Sequence, residues 1–159
     1  MTITYQVFVS STYNDLREER EQVVKAVLEM GHIPVGMEMF SAADEQQWQI
    51  IRRHIESSDY YVVVVAHRYG SLEGDRSYTE KEYDYAVQCG VPVLGFIIDE
   101  SVSWQPAKIE DDPQKRSALM RFKEKVKSKY ISYWTSAADL YGKVSIVLTK
   151  AITAYPRAG

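Results

Sequence analysis

The sequence predicts an α/β fold: a five-stranded parallel sheet with helices on both faces. Two observations carry that prediction. Short apolar runs and segments of helical periodicity alternate along the whole chain, which implies right-handed crossovers and parallel strands. The middle run, Tyr60 to Ala66, is uninterrupted rather than alternating, as befits a strand covered on both sides.

Each element follows from local pattern. "YQVFVS" (Tyr5 to Ser10) reads as the first strand. Leu16, Val23, Val27 and Met30 recur at helical spacing between Asn14 and Met30. Asp15, Glu18 and Glu19 sit in the first turn, where the helix dipole favours them, and Gly31 ends the helix. Thr12 or Asn14 is the expected N-cap. "HIPVGM" is a short second strand, and Trp48, Ile51 and Ile55 define the buried face of a helix from Asp44 to Ser57. After the third strand comes a helix over about Thr79 to Cys89, with Cys89 as small core filler, then "VPVLGFII" as the fourth strand. "DESVSWQPAKIEDDP" is a polar connection long enough for a lid or binding loop. Pro113 opens a helix to about Ser128, "YISYW" is the fifth strand, and a last helix spans Ser136 to Ala154.

The expected strand order is 2-1-3-4-5, flavodoxin-like, with ligands bound beyond the carboxyl ends of strands one and three. "SSTYND", "GMEMF", "HRYGSLEGDRSY" and the start of the third helix converge there. With 159 residues the chain reads as one domain, its core over about residues 5–154. A net charge of −3 with scattered Lys and Arg gives no footprint for nucleic acid. No apolar run could span a bilayer, and the N-terminus does not look like a signal peptide. A single cysteine fits a cytoplasmic location.

Several chemistries lack their motif. No G-x-G-x-x-G follows the first strand, no P-loop occurs, and no G-x-S-x-G elbow is present. The three histidines have no metal-ligand spacing, and no cofactor is implied. The informative stretch is "SYTEKEYDYAVQCGVPV". Ser77 and Glu80, or Thr79 and Glu82, each have capping-box spacing, but a helix has one start. If Ser77 is the cap, Glu80 is consumed in capping and Glu82 is released.

"EYDYAVQCGVPVLGFIIDE" resembles a segment of nucleoside deoxyribosyltransferases: Glu82, Ala86, Gly90 and Val93 match its spacing, and the family's catalytic glutamate falls on Glu82. From Tyr5 to Asp99 the chain more closely resembles a TIR-like family of unknown function, found at the front of bacterial NACHT, STAND and repeat proteins. "VFVSSTYNDLREERE", "RYGS" and "SYTEKEYDYA" carry that similarity. Catalytic TIR domains share the flavodoxin-like sheet and place a glutamate on the third helix, again at Glu82.

The resemblance implies cleavage of a bond between ribose C1′ and a nitrogen, through an oxocarbenium-like transition state that a carboxylate stabilises or captures. Nicotinamide in NAD⁺ leaves neutral and needs no acid, so one carboxylate suits NAD⁺ better than a neutral nucleoside. For the latter, Asp75, Asp84 or Glu38 are the candidate proton donors. Ser10 and Ser11 are candidates for the floor of the site, as ribose or phosphate hydrogen-bonders. Arg68 is the candidate cation for phosphate, Glu38 for a ribose hydroxyl, and Ser77 a further ligand contact. Tyr69 and Tyr78 are candidates to stack on a base, whereas Tyr83 and Trp48 are expected to pack in the core. The implied partners are NAD⁺ or a nucleotide-like molecule and other copies of the chain, in an effector of bacterial defence activated by self-association. The alternatives are a non-catalytic interaction module and a nucleoside or nucleotide deoxyribosyltransferase or N-glycosidase.

Overall fold

A computed structural model describes residues 2–36 and 44–159. Its parallel sheet has the order β2-β1-β3-β6-β7, from β1 (Gln6–Ser11), β2 (Ile33–Gly36), β3 (Tyr60–Val65), β6 (Val93–Ile98) and β7 (Tyr130–Trp134). In strand number this is the flavodoxin-like order the sequence predicts. Every residue of β3 and β6 is buried, because helices cover both faces. Alternation along the strands separates two cores. Val7, Val9, Val62 and Phe96 face α1 (Arg17–Glu29) and α5 (Ala137–Ala154). Phe8, Tyr61, Val63 and Ile97 face α2 (Asp44–Ser57), α3 (Tyr78–Gln88) and α4 (Pro113–Lys127). Each fully buried side chain of this size contributes about 1.5–3 kcal/mol, which is why the sheet sets the fold and the polar rim is free for other work.

The first helix begins later than its charge pattern predicts. Leu16 occupies the N-cap position and no side chain caps it, so the expected cap by Thr12 or Asn14 is corrected. Leu16 is fully buried between sheet and helix, and its N–H donates to the Tyr13 carbonyl at 3.3 Å. Burying that leucine outweighs a capping hydroxyl, and residues 12–15 turn above the end of β1. A two-stranded hairpin, β4 (Leu72–Glu73) and β5 (Arg76–Ser77), turns at Gly74 with φ +68°. Its strands are too short to leave a periodic signal. Ion pairs from Lys81 to Glu73 (2.7 Å) and from Arg76 to Asp84 (2.8 Å) dock it on α3.

Cys89 is exposed at the C-cap of α3, not core filler, because Gly90 turns the chain there with φ +75°. The polar connection after β6 contains a short 3₁₀ turn, Pro106–Lys108, and is fastened at several points. The Glu110 N–H donates to the His67 carbonyl at 2.8 Å, and the Trp104 ring lies 5.8 Å from both His67 and Trp134. Trp48 is half-buried at the edge of its core, edge-on to Tyr85 and under the Lys81 ammonium, while Tyr83 is buried as expected. Among the described residues no helix is long and apolar enough to cross a membrane.

Candidate functional site

Ser10 and Ser11 close β1, paired with Val63 and Val64 of β3. Successive strand residues point to opposite faces, so these two serines serve different helices. Ser10 faces α3. Its hydroxyl donates to Glu82 Oε1 at 2.7 Å, and both residues are about 1% exposed. Ser11 faces α1. Its hydroxyl accepts from Arg20 Nη1 at 2.9 Å and donates to the Thr12 carbonyl at 2.8 Å. Arg20, itself buried, also donates to the Val9 carbonyl at 3.3 Å and ties the end of β1 to its helix.

The start of α3 explains why Glu82 points at Ser10. Ser77 is the N-cap, its hydroxyl accepting from the Glu80 N–H at 3.1 Å. Glu80 is not consumed in a capping box: its carboxylate accepts from the Tyr69 hydroxyl and from the Lys125 ammonium. Those partners lie 11 and 45 residues away, so no local spacing could reveal them. Glu82, two residues on, projects from another side of the helix toward the sheet. Released from capping, Glu82 is nonetheless not exposed. Its carboxylate sits under cover, held by a serine donor. Tyr61 was not foreseen. Its fully buried phenol is held well above the usual tyrosine range, first by burial and then by the nearby Glu82 charge. The Tyr61 ring stacks on Phe8 with centroids 5.6 Å apart.

Beyond the end of β1 opens a cleft of about 170 Å³, lined among others by Ser11, Asp15, Arg68, Tyr78, Thr79, Glu110 and Lys115, with Ser10 and Glu82 buried behind its wall. Tyr78 and Thr79 stand one turn before Glu82 on the same side of α3. Gly70 permits the closure of this wall. Its φ of +99° suits glycine, and a Cβ there would meet Thr12 Cγ2 at 2.9 Å. Arg68 is exposed and donates to the Ala107 carbonyl at 2.7 Å. Asp15 is buried, and loss of solvent raises its carboxyl above the ordinary range despite Thr12, Arg68 and Lys108. A larger depression of about 650 Å³ runs along α1 and shares Tyr13 with this cleft.

The predicted site residues therefore divide. Ser10 and Glu82 meet, and Ser11, Arg68 and Tyr78 share the neighbouring cleft. Tyr69 does not stack at the rim: it is 2% exposed, edge-on to Phe122, with its hydroxyl on Glu80. Ser77 is fully buried and serves as the N-cap of α3. Glu38 lies outside the described residues. Of the proton donors considered, Asp84 is ion-paired to Arg76 and Lys125, and Asp75 is exposed in the hairpin turn. Neither stands at the Glu82 site.

Residues 6–149 match the model of a family described as "Domain of unknown function (DUF4062)". No curated protein matches the sequence. Among solved structures, a CMP N-glycosidase of Clostridium botulinum is similar in fold, with TM-score 0.54 and 12% identity over 89% of this chain and 98% of that one. A flavo di-iron protein mutant from Thermotoga maritima has TM-score 0.54 and 15% identity, covering 93% of this chain. This chain spans 36% of that longer protein. Both likenesses are of fold.

Proposed function

The chain belongs to the DUF4062 family, and on that premise we propose that it cleaves the N-glycosidic bond of NAD⁺, releasing nicotinamide, with Glu82 as the catalytic carboxylate. The observation that carries this reading is the Ser10–Glu82 pair at the carboxyl end of β1. As the bond from C1′ to the nicotinamide nitrogen lengthens, positive charge grows on the ribose. A carboxylate beside it stabilises that charge or forms a ribosyl ester. Burial strengthens the attraction, since charges interact more strongly where water is excluded. The Ser10 hydroxyl fixes one oxygen of the carboxylate and so its direction. Nicotinamide takes the bonding electron pair and leaves neutral, so no acid is required, and water then attacks C1′ to give ADP-ribose and a proton.

The Clostridium botulinum protein of similar fold is a CMP N-glycosidase, which supports this class of reaction for the sheet and its rim. In this reading the chain is a TIR-like effector of bacterial defence, switched on when copies assemble. A second reading, a non-catalytic TIR-like interaction module, is favoured by one observation: Glu82 is 1% exposed and could serve only to tie α3 to β1. Nicotinamide release by concentrated pure protein, wild type beside Glu82→Gln, separates the two. Glutamine keeps the shape and accepts the Ser10 hydrogen bond while removing the charge. Catalysis predicts release by the wild type, none by the variant, and similar melting temperatures. Release that survives the substitution would remove Glu82 from the chemistry.

A further inference from the structure

We propose that the cleft next to the Ser10–Glu82 pair seats a phosphate of the substrate, so that the glycosidase reading, on which this rests, applies to nucleotides and not to free nucleosides. Two chain elements join the cleft to the pair. Ser11, on its wall, follows Ser10 along β1 with its side chain on the opposite face of the sheet, and Tyr78 and Thr79 stand one helical turn before Glu82.

The lining suits such a ligand. Arg68 and Lys115 bring two cations to one cleft, which also holds the carboxylates of Asp15 and Glu110, the latter accepting from the Tyr69 N–H at 3.2 Å. The Arg68 guanidinium is steadied through one nitrogen by the Ala107 carbonyl, and its remaining N–H groups are available to phosphate oxygens. Lys115 is half-buried and stands outside the ion pairs of the described residues, whereas Lys81, Lys123 and Lys125 each have a carboxylate. Asp15 supplies the opposite function. It is 4% exposed, and its Oδ2 has no hydrogen-bond partner among the described residues, a position that calls for a donor. One ligand that satisfies all three groups carries an anion and, a short distance away, hydroxyl or amino donors. A ribose 5′-phosphate does so. The volume, about 170 Å³, equals that of about five or six water molecules at about 30 Å³ each, enough for sugar and phosphate but not for a whole dinucleotide. The rest of the molecule leaves past Tyr78, 38% exposed at the edge, whose ring offers a stacking face.

Calorimetric titration with matched pairs tests this: NMN against nicotinamide riboside and CMP against cytidine, with NAD⁺ alongside, on wild type and on Arg68→Gln/Lys115→Gln. Each phosphorylated member should bind the wild type at least ~10-fold more tightly than its partner, a conservative figure for two charge-assisted contacts. The double substitution should erase that gap without altering the melting temperature. Equal affinity within each pair, no binding by any of them, or a gap that survives the substitution overturns the proposal. Base release, measured separately, reports on Glu82. Phosphate-dependent binding without base release would sink the glycosidase reading and keep the phosphate seat. Base release with binding blind to phosphate would do the reverse.

Discussion

Replacing Ser10 by alanine probes the contact on which the site is built. The Ser10 hydroxyl lies 2.7 Å from Glu82 Oε1, a normal length for a hydrogen bond between neutral hydroxyl and carboxylate. Both residues are about 1% exposed, so water does not readily replace the lost donor. Hydrogen bonds to charged groups are worth about 1.5–3 kcal/mol. For a domain of this size each kcal/mol shifts the melting temperature by about 2–4 °C, so Ser10→Ala should lower it by about 3–12 °C. In a Glu82→Gln background the acceptor is neutral, and the same substitution should cost only about 0.5–1.5 kcal/mol. Urea unfolding of the four proteins gives the coupling energy directly. Equal costs in both backgrounds would show that the Glu82 charge adds nothing to the contact, and the account of how Glu82 is held would fail.

Other expectations follow from the same coordinates. Ser77→Ala removes the cap of α3 and should destabilise the fold by about 0.5–2 kcal/mol, with Ser77→Asp closer to wild type, both read by thermal melts. Gly95→Ala places a Cβ 2.6 Å from Val126 Cγ1 and 3.1 Å from Ile131 Cγ2, an overpacking that costs about 1–3 kcal/mol by urea unfolding. His32 is held below the usual imidazole range by burial, and its Nδ1 accepts the Tyr5 N–H at 3.1 Å. A lowered folded value means the unfolded chain binds the proton more readily. The stabilisation from neutral His32 is therefore complete above about pH 6.5, its unfolded value, and declines as pH falls below it. Melting temperature against pH should show a downward slope toward acid that flattens in His32→Asn.

The sheet was legible because its cause is local and repeated. An unbroken run such as "YYVVVVA" has few uses other than a strand buried on both faces, and β3 is buried at every position. Ser77 was legible as one of two possible caps, because capping spacing is a property of a few adjacent residues. What escaped depends on distant partners. Glu80 looks like half of a capping box until Lys125 and Tyr69 arrive from other elements. Arg20 carries no local signal of its role, yet it is buried against Ser11 and the Val9 carbonyl. Leu16 shows the competition most plainly, because propensity assigned the helix start to Thr12 or Asn14 and core burial moved it. Tyr61 lies within the most readable strand, but only the fold shows its phenol beside Ser10 and Glu82.

The most direct test of the central claim is nicotinamide release from NAD⁺ by concentrated wild-type protein beside Glu82→Gln of matched stability. Release that vanishes with the substitution is the predicted result. Undiminished release by the variant, or none by the wild type at any attainable concentration, would contradict it.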